Sequence, residues 1–258
     1  MQFLSRRSFV LSSAAFVLAG CSSYTGDNRS LVPLPGNAES RLQTIGSSPA
    51  DPMLVRIFKE SSELEVWKRT KDATYVLFKL YNICRWSGVL GPKLQEGDRQ
   101  APEGFYSVTP GMLNPKSALY LSFNTGFPNK YDRAYGRTGT NLMVHGGCSS
   151  AGCYAITDDE IKEIYALARE GFAAGNASFQ LQMFPFRMTA TNIDRFATDA
   201  NIAFWQNLKE GNDLFEATLR PPAWDVCDLR YVFAAEPAGL AACATPEPPI
   251  PAPAPAFV

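Results

Sequence analysis

The chain has a single histidine among 258 residues, eight positions before a cysteine in the stretch Leu142 to Ile156, "LMVHGGCSSAGCYAI". His145 closes an apolar, strand-like run and opens a loop with three glycines, where the missing Cβ atoms let backbone approach a ligand closely. Acyl transfer through a cysteine needs a thiolate, a base that makes it or serves the leaving amine, and N–H donors where the oxyanion forms. Cys153 can supply the thiol and His145 the base, since an imidazole titrates near neutrality. The Gly152-Cys153-Tyr154 backbone can supply the donors.

The same residues allow other readings. A lone imidazole is commonly a satisfied structural group. His145, Cys148 and Cys153 can be arranged around zinc, although no fourth ligand follows at the usual paired spacing. Cys148 and Cys153 can instead close a disulfide across the turn. A phosphate loop fits least, because no Lys-Ser/Thr pair follows the glycines.

The compartment bears on which reading holds. The N-terminus, "MQFLSRRSFVLSSAAFVLAGCSS", places Arg6 and Arg7 before an apolar run from Phe9 to Leu18. That run is shorter than the ~20 residues that cross a bilayer, so an export signal is expected rather than a membrane span. Ser5-Arg6-Arg7-Ser8-Phe9-Val10 resembles a twin-arginine signal, and Leu18-Ala19-Gly20-Cys21 resembles a bacterial lipobox that leaves Cys21 lipidated at a new N-terminus. With Ser22 rather than aspartate after it, the expected location is the periplasm of a Gram-negative bacterium, anchored by lipid to the outer membrane. Cleavage before Cys21 removes two of 24 basic residues and none of the 25 acidic ones. No cationic field remains for nucleic acid, which is excluded as a partner.

An oxidising compartment makes disulfides the default for the other cysteines. These are Cys84, Cys148, Cys153, Cys227 and Cys243, an odd count that leaves at least one thiol unpaired within the chain. With Cys153 free, the other four allow three pairings, among which the sequence does not choose. Cys227 with Cys243 is preferred because it would pin the last ordered segment.

The elements that must position these residues follow from periodicity. Residues 22–48, rich in Gly, Ser, Asn and Pro, are expected to form a tether. Two β-rich runs follow, "LVRIFKESSELEVWKR" and "ATYVLFKLYNICRW", then short strands at Phe105 to Val108, "ALYLSFN" and "NLMVHGG". Thr157 to Glu160 has capping-box spacing, and Ile161, Ile164, Tyr165, Ala168 and Phe172 form one helical stripe that ends at a glycine. "SFQLQMFPF" returns to strand, with Pro185 marking an edge or a strand end, and "NIAFWQNLKEGNDLFEAT" predicts a second helix interrupted by glycine. The expectation is an α+β domain, mostly antiparallel sheet with helices after the histidine-cysteine loop. Its boundaries are an export signal at 1–20, a lipidated tether at 21–50, the domain at 51–235 and a Pro/Ala-rich tail of polyproline character at 236–258.

Three ordered segments carry a family resemblance. "MVHGGCSSAGCYAIT" resembles the active-site motif of the YkuD-type L,D-transpeptidases in their compact, YafK-like branch. "APEGFYSV" is similar to the family's Thr-Pro-x-Gly-x-Phe segment, with Ala101 in the threonine position, and "MFPFRMT" resembles a segment of the compact branch. The similarity spans roughly Met53 to Arg220. It implies Cys153 as the acylated nucleophile, His145 as proton donor and acceptor, Gly152 as the small residue before the nucleophile, and the Gly146 carbonyl as the group that orients the imidazole. Ser150 and Tyr154 are expected on the substrate side. The chain departs from the longer family motif, Ser-His-Gly-Cys-Ile/Val-Arg/Asn. Ala151 stands in place of the second histidine and Tyr154-Ala155 replace the final pair. Arg187 is a candidate for the vacant carboxylate-binding role, and equally for a surface ion pair.

The resemblance implies attack by Cys153 on the amide between meso-diaminopimelate and D-alanine of a peptidoglycan stem peptide, with departure of D-alanine. The thioester then passes to an amine, from a second stem or from a lysine of a wall-attached lipoprotein. The alternatives are a hydrolase that cuts such links, or an inactive peptidoglycan-binding lipoprotein. No cofactor or metal is expected.

Overall fold

The structure, a computed structural model, describes residues 27–240. Arg6, Arg7 and Cys21 of the expected export signal, Cys243, and most of the Pro/Ala-rich tail lie outside those residues.

The first long β-rich run folds back on itself, and the second crosses from one sheet to the other. The first becomes β1 (Met53–Phe58) and β2 (Glu63–Arg69), because "KESS" between them supplies the turn; the second becomes β3 (Tyr75–Asn82) and a short β4 (Arg85–Trp86). The other elements, in chain order, are α1 (Gly36–Thr44) before β1, then β5 (Gly104–Val108), β6 (Leu113–Asn114), β7 (Ser122–Asn124), α2 (Lys130–Ala134), β8 (Met143–His145), β9 (Tyr154–Ala155), α3 (Asp158–Ala173), β10 (Phe179–Phe184), α4 (Ala190–Arg195), α5 (Ile202–Thr218), β11 (Ala223–Cys227) and β12 (Arg230–Ala234). The fold is α+β, as expected from the periodicity.

Two five-stranded sheets organise the domain, in the orders β3-β2-β1-β10-β5 and β4-β9-β8-β7-β6. All their pairings are antiparallel except β1 with β10 and β8 with β9. The main core lies where Val55, Ile57, Leu64, Val66, Leu181 and Met183 of the first sheet meet Phe123, Val144 and Tyr154 of the second and Ile161, Ile164 and Leu167 of α3. A second cluster, with Phe58, Phe105, Phe184, Trp205, Leu208 and Tyr231, buries α5 against the other face of the first sheet. β1 is therefore buried at every position, and its Arg56 is accommodated only because Gln182, Asn212 and Glu216 satisfy the guanidinium.

The helices follow their local signals. Thr157 and Glu160 form the capping box that starts α3, and the chain leaves the helix before Gly175 at φ +97°. β10 stops at Phe184, immediately before Pro185, yet it is an interior strand rather than an edge. α5 runs unbroken through Gly211, where an added Cβ would lie 2.5 Å from the Phe233 ring and 2.6 Å from the Phe105 ring. That glycine serves ring packing and does not break the helix.

The expected tether is corrected over its described part. Leu34, just before α1, and Ala38 and Leu42 within it are buried in the main core. Arg169 of α3 donates to the Val32 carbonyl at 3.2 Å, and Arg29 donates to the Ser117 carbonyl at 3.1 Å. Three apolar residues at helical spacing, diluted among polar ones, suffice to dock this segment. Helices also precede the histidine-cysteine loop, at α1 and α2. Leu42→Ala should lower the unfolding free energy by about 2–4 kcal/mol in a urea titration, as for other fully buried leucines; a loose tether would show no change.

Candidate active site

β8 and β9 hold the two sequence candidates. Register pairs Asn114 with Ser122, Ser122 with His145, His145 with Ala155, and Ala155 with Arg85, so one row of residues crosses the second sheet on a single face. The next row, Leu113, Phe123, Val144, Tyr154 and Trp86, points to the other face and into the core. Cys153 precedes Tyr154 and so faces the His145 side, beside Met143 at the start of β8. The thiol and the imidazole thus emerge on one face of adjacent strands.

Their local partners define the resting protonation states. His145 is 2% exposed, and its Nδ1 lies 2.6 Å from the Gly146 carbonyl oxygen. A carbonyl can only accept, so Nδ1 carries the proton and Nε2 keeps its lone pair. Burial pushes the imidazole below its ordinary value, against the hydrogen bond to Gly146, which favours the charged form. The Cys153 sulfur accepts from the Met143 N–H at 3.4 Å and approaches the Asn141 carbonyl at 3.6 Å. Burial pushes the thiol above its ordinary value, opposed by the Met143 N–H and the Lys93 ammonium. Both shifts favour a neutral thiol and a neutral imidazole over a preformed ion pair.

The loop from Gly146 to Cys153 is fixed at three places. Cys148, at φ +41°, is joined to Cys84 in a disulfide that ties the loop to the residue before β4. Gly147 N–H donates to Asp158 Oδ1 at 2.8 Å, at the start of α3. Ser150 Oγ accepts from the Cys153 N–H at 3.0 Å and donates to the Cys153 carbonyl at 2.7 Å, and Ser87 Oγ joins it at 2.8 Å. Gly152, at φ +136°, adopts backbone that a side chain would strain, directly before the nucleophile candidate.

Several expectations change here. Cys148 is committed to Cys84, which removes both the turn disulfide with Cys153 and the zinc set that needed a Cys148 thiolate; Cys153 is a free thiol. Cys227 is also disulfide-bonded. Tyr154 is fully buried and donates to the Pro102 carbonyl at 2.6 Å, so its side chain packs in the core rather than facing substrate. Ser150 organises the loop backbone instead of a ligand, and the N–H groups of Gly152 and Cys153 are spent on its hydroxyl. Arg187 lies over the Phe58 ring at 3.8 Å and forms ion pairs with Glu63 and Glu65, which makes it the surface ion pair and leaves it out of the cysteine loop.

Sequence reasoning left the partner of Cys84 open and missed Ser87, Asp158, Lys93 and Ser122. The last is buried beside His145, with a hydroxyl that finds no partner among the described residues. Only the strand alternation of "LSFN" could have put Ser122 opposite His145, and that needs the register. A groove of about 490 Å³ lies alongside, bounded by Met112, Leu113, Asn114, Asn124, Phe127 and Met143. Asn114, Asn124 and Met143 belong to the His145 face, so the groove continues that surface.

A free thiol, a tautomer-fixed imidazole and a stapled loop between two parallel strands are thus brought together at one end of the second sheet. Residues 64–174 match the YkuD L,D-transpeptidase catalytic domain, and the chain belongs to that family. It is 42% identical over 219 residues to the Escherichia coli K12 protein named "Putative L,D-transpeptidase YafK", covering 84% of this chain and 87% of that one. Among solved structures it is similar to the helical cell shape determining protein Pgp2 of Campylobacter jejuni, with TM-score 0.41 and 18% identity over 74% of this chain and 80% of that one. Bd1075 of Bdellovibrio bacteriovorus gives TM-score 0.37 and 15% identity over 71% and 81%.

A raised thiol pKa has a kinetic signature. Alkylation of Cys153 by neutral iodoacetamide should keep accelerating beyond about pH 8.5, the ordinary thiol value. A plateau below neutrality would instead reveal a resident thiolate. The lowered imidazole pKa means that the unfolded chain binds the His145 proton more readily. Its contribution therefore reduces stability as pH falls through about 6.5, which a denaturant series across that range measures.

Proposed function

We propose that the protein is an L,D-transpeptidase of the bacterial cell wall, held in the periplasm by lipid on Cys21. The observation that carries the reading is the free Cys153 thiol, the one cysteine near His145 left out of a disulfide, on the same face as an imidazole whose Nε2 is free to accept. In the attack, Nε2 takes the thiol proton from Cys153 as sulfur adds to the carbonyl between meso-diaminopimelate and D-alanine. The resulting imidazolium returns a proton to the departing amine, which leaves as D-alanine and completes the thioester. An amine acceptor, from another stem or from a lysine of a wall-linked lipoprotein, then adds to the thioester, loses a proton to Nε2 and expels the thiolate.

The Gly146 carbonyl does the orienting that a carboxylate does in a Ser-His-Asp triad. The oxyanion needs donors, and the Cys153 N–H becomes one when Ser150 Oγ rotates off it. The groove running from Met143 to Asn114 would receive the stem peptide along the His145 face. The disulfide between Cys84 and Cys148 suits an oxidising compartment, in keeping with the export signal expected from Arg6, Arg7 and the run before Cys21.

Incubating the purified protein with disaccharide-tetrapeptide and weighing the products tests the reaction. A cross-linked dimer or exchange of a supplied D-amino acid is expected; a shortened stem alone would make the protein a hydrolase, and an unaltered substrate with Cys153 shown reduced would end the enzymatic reading. Cys153→Ala should abolish turnover, and a carbapenem should add its mass to the wild type and not to this variant. Cys21→Ala should shift the protein from membrane to soluble fractions; retention on the membrane would reject the lipid anchor.

A further inference from the structure

Among the described residues, Arg99, in the turn packed beside the proposed nucleophile, makes no ion pair or hydrogen bond. Between β4 and β5, Asp98 shapes a turn by accepting from the backbone N–H groups of Leu94 at 2.9 Å, Gln95 at 3.0 Å and Gln100 at 2.9 Å, and by pairing with the buried Lys93 ammonium. The turn is tied to the segment that leads into β8: Thr138 N–H donates to the Leu94 carbonyl, and Glu96 N–H donates to Thr138 Oγ1, each at 3.1 Å. Closing it forces Arg99 to φ +54°, which costs a residue with a Cβ on the order of 1 kcal/mol. It also brings the Arg99 Cα within 3.9 Å of the point where a Cβ on Gly152 would sit.

Arg99 is therefore packed by its backbone against the residue before Cys153, while its side chain is exposed. Among the described residues its guanidinium makes no ion pair or hydrogen bond, whereas Arg187 is consumed by Glu63 and Glu65. Ala155, the position at which the longer family motif carries arginine, is fully buried. The same turn holds Lys93 close enough for its ammonium to act on the thiol.

We propose that Arg99 is the carboxylate receptor of this site and binds the terminal carboxylate on the leaving side of the scissile amide. The proposal rests on the transpeptidase reading for its substrate. That carboxylate is the substrate charge nearest the attacked carbonyl, one nitrogen and one carbon away, and a guanidinium takes it with two parallel N–H···O bonds. Arg99 thus replaces, from a different loop, the cation missing after the cysteine.

Two reagents that differ mainly in charge test this without any turnover. Iodoacetate carries a carboxylate next to its reacting carbon, and iodoacetamide carries a neutral amide there. At Cys153 the ratio of the iodoacetate rate to the iodoacetamide rate should fall about tenfold in Arg99→Gln, the size of one charge-assisted contact. The iodoacetamide rate should change far less, which reports an intact fold, and Arg99→Lys should recover part of the ratio. Arg85→Gln, on β4 opposite Ala155, should leave it unaltered. An unchanged ratio in Arg99→Gln, or an equal fall in Arg85→Gln, overturns the proposal. With stem peptides, Arg99→Gln should raise KM for a tetrapeptide ending in D-alanine and not for one ending in D-alaninamide; equal effects on both overturn it too. If the wild type turns over neither stem, the transpeptidase reading falls, and the alkylation ratio still decides whether Arg99 receives a carboxylate.

Discussion

Two parallel strands joined by eight residues are the constraint on which the rest of the site depends. β8 ends at His145 and β9 begins at Tyr154, side by side in one sheet. Parallel neighbours are ordinarily connected by a dozen or more residues, most often through a helix. Here the strands are only three and two residues long, so the return path is short enough for a loop to cover it. The strand pleat then does the chemical sorting. Because side chains alternate, Val144 and Tyr154 enter the core while His145 and Cys153 emerge together on the opposite face.

So short a ladder contributes few hydrogen bonds of its own, and the loop's shape is held from outside it. The Cys84–Cys148 bond fixes the loop from the β4 side, Asp158 from α3, and Ser150 from within. These ties make the order of assembly matter. Cys148 is five residues from Cys153 and 64 from Cys84. Until β4 pairs with β9, the nearer thiol is the more accessible partner in an unfolded chain. Docking of Arg85 and Trp86 onto Ala155 and Tyr154 brings the distant cysteine into place and leaves Cys153 free to react.

Much of this was legible in the sequence where one residue type answers one local need. The capping box at Thr157, the helical stripe of α3, and a strand ending in His145 before a glycine-rich loop all follow from spacing, and the motif pointed to Cys153 and His145. Properties that depend on which surfaces meet were not legible. Leu34, Ala38 and Leu42 look like scattered apolar residues in a polar segment until α3 and the first sheet offer them a surface. Tyr154 follows the nucleophile in sequence, yet the two-residue period of a strand turns it away from the substrate face. Arg187 resembled a substrate cation because its partners, Glu63 and Glu65, are more than a hundred residues distant in the chain and become neighbours only through the pairing of β1 with β10 and β2.

The docking of α1 also limits where the domain can work. With Cys21 lipidated as proposed, only six Cα–Cα steps separate the anchor from Asp27, where the described chain begins. Even fully extended they reach about 20 Å. A leash of that length would hold the His145 face close to the bilayer, and the wall within its reach would be the layer next to the membrane.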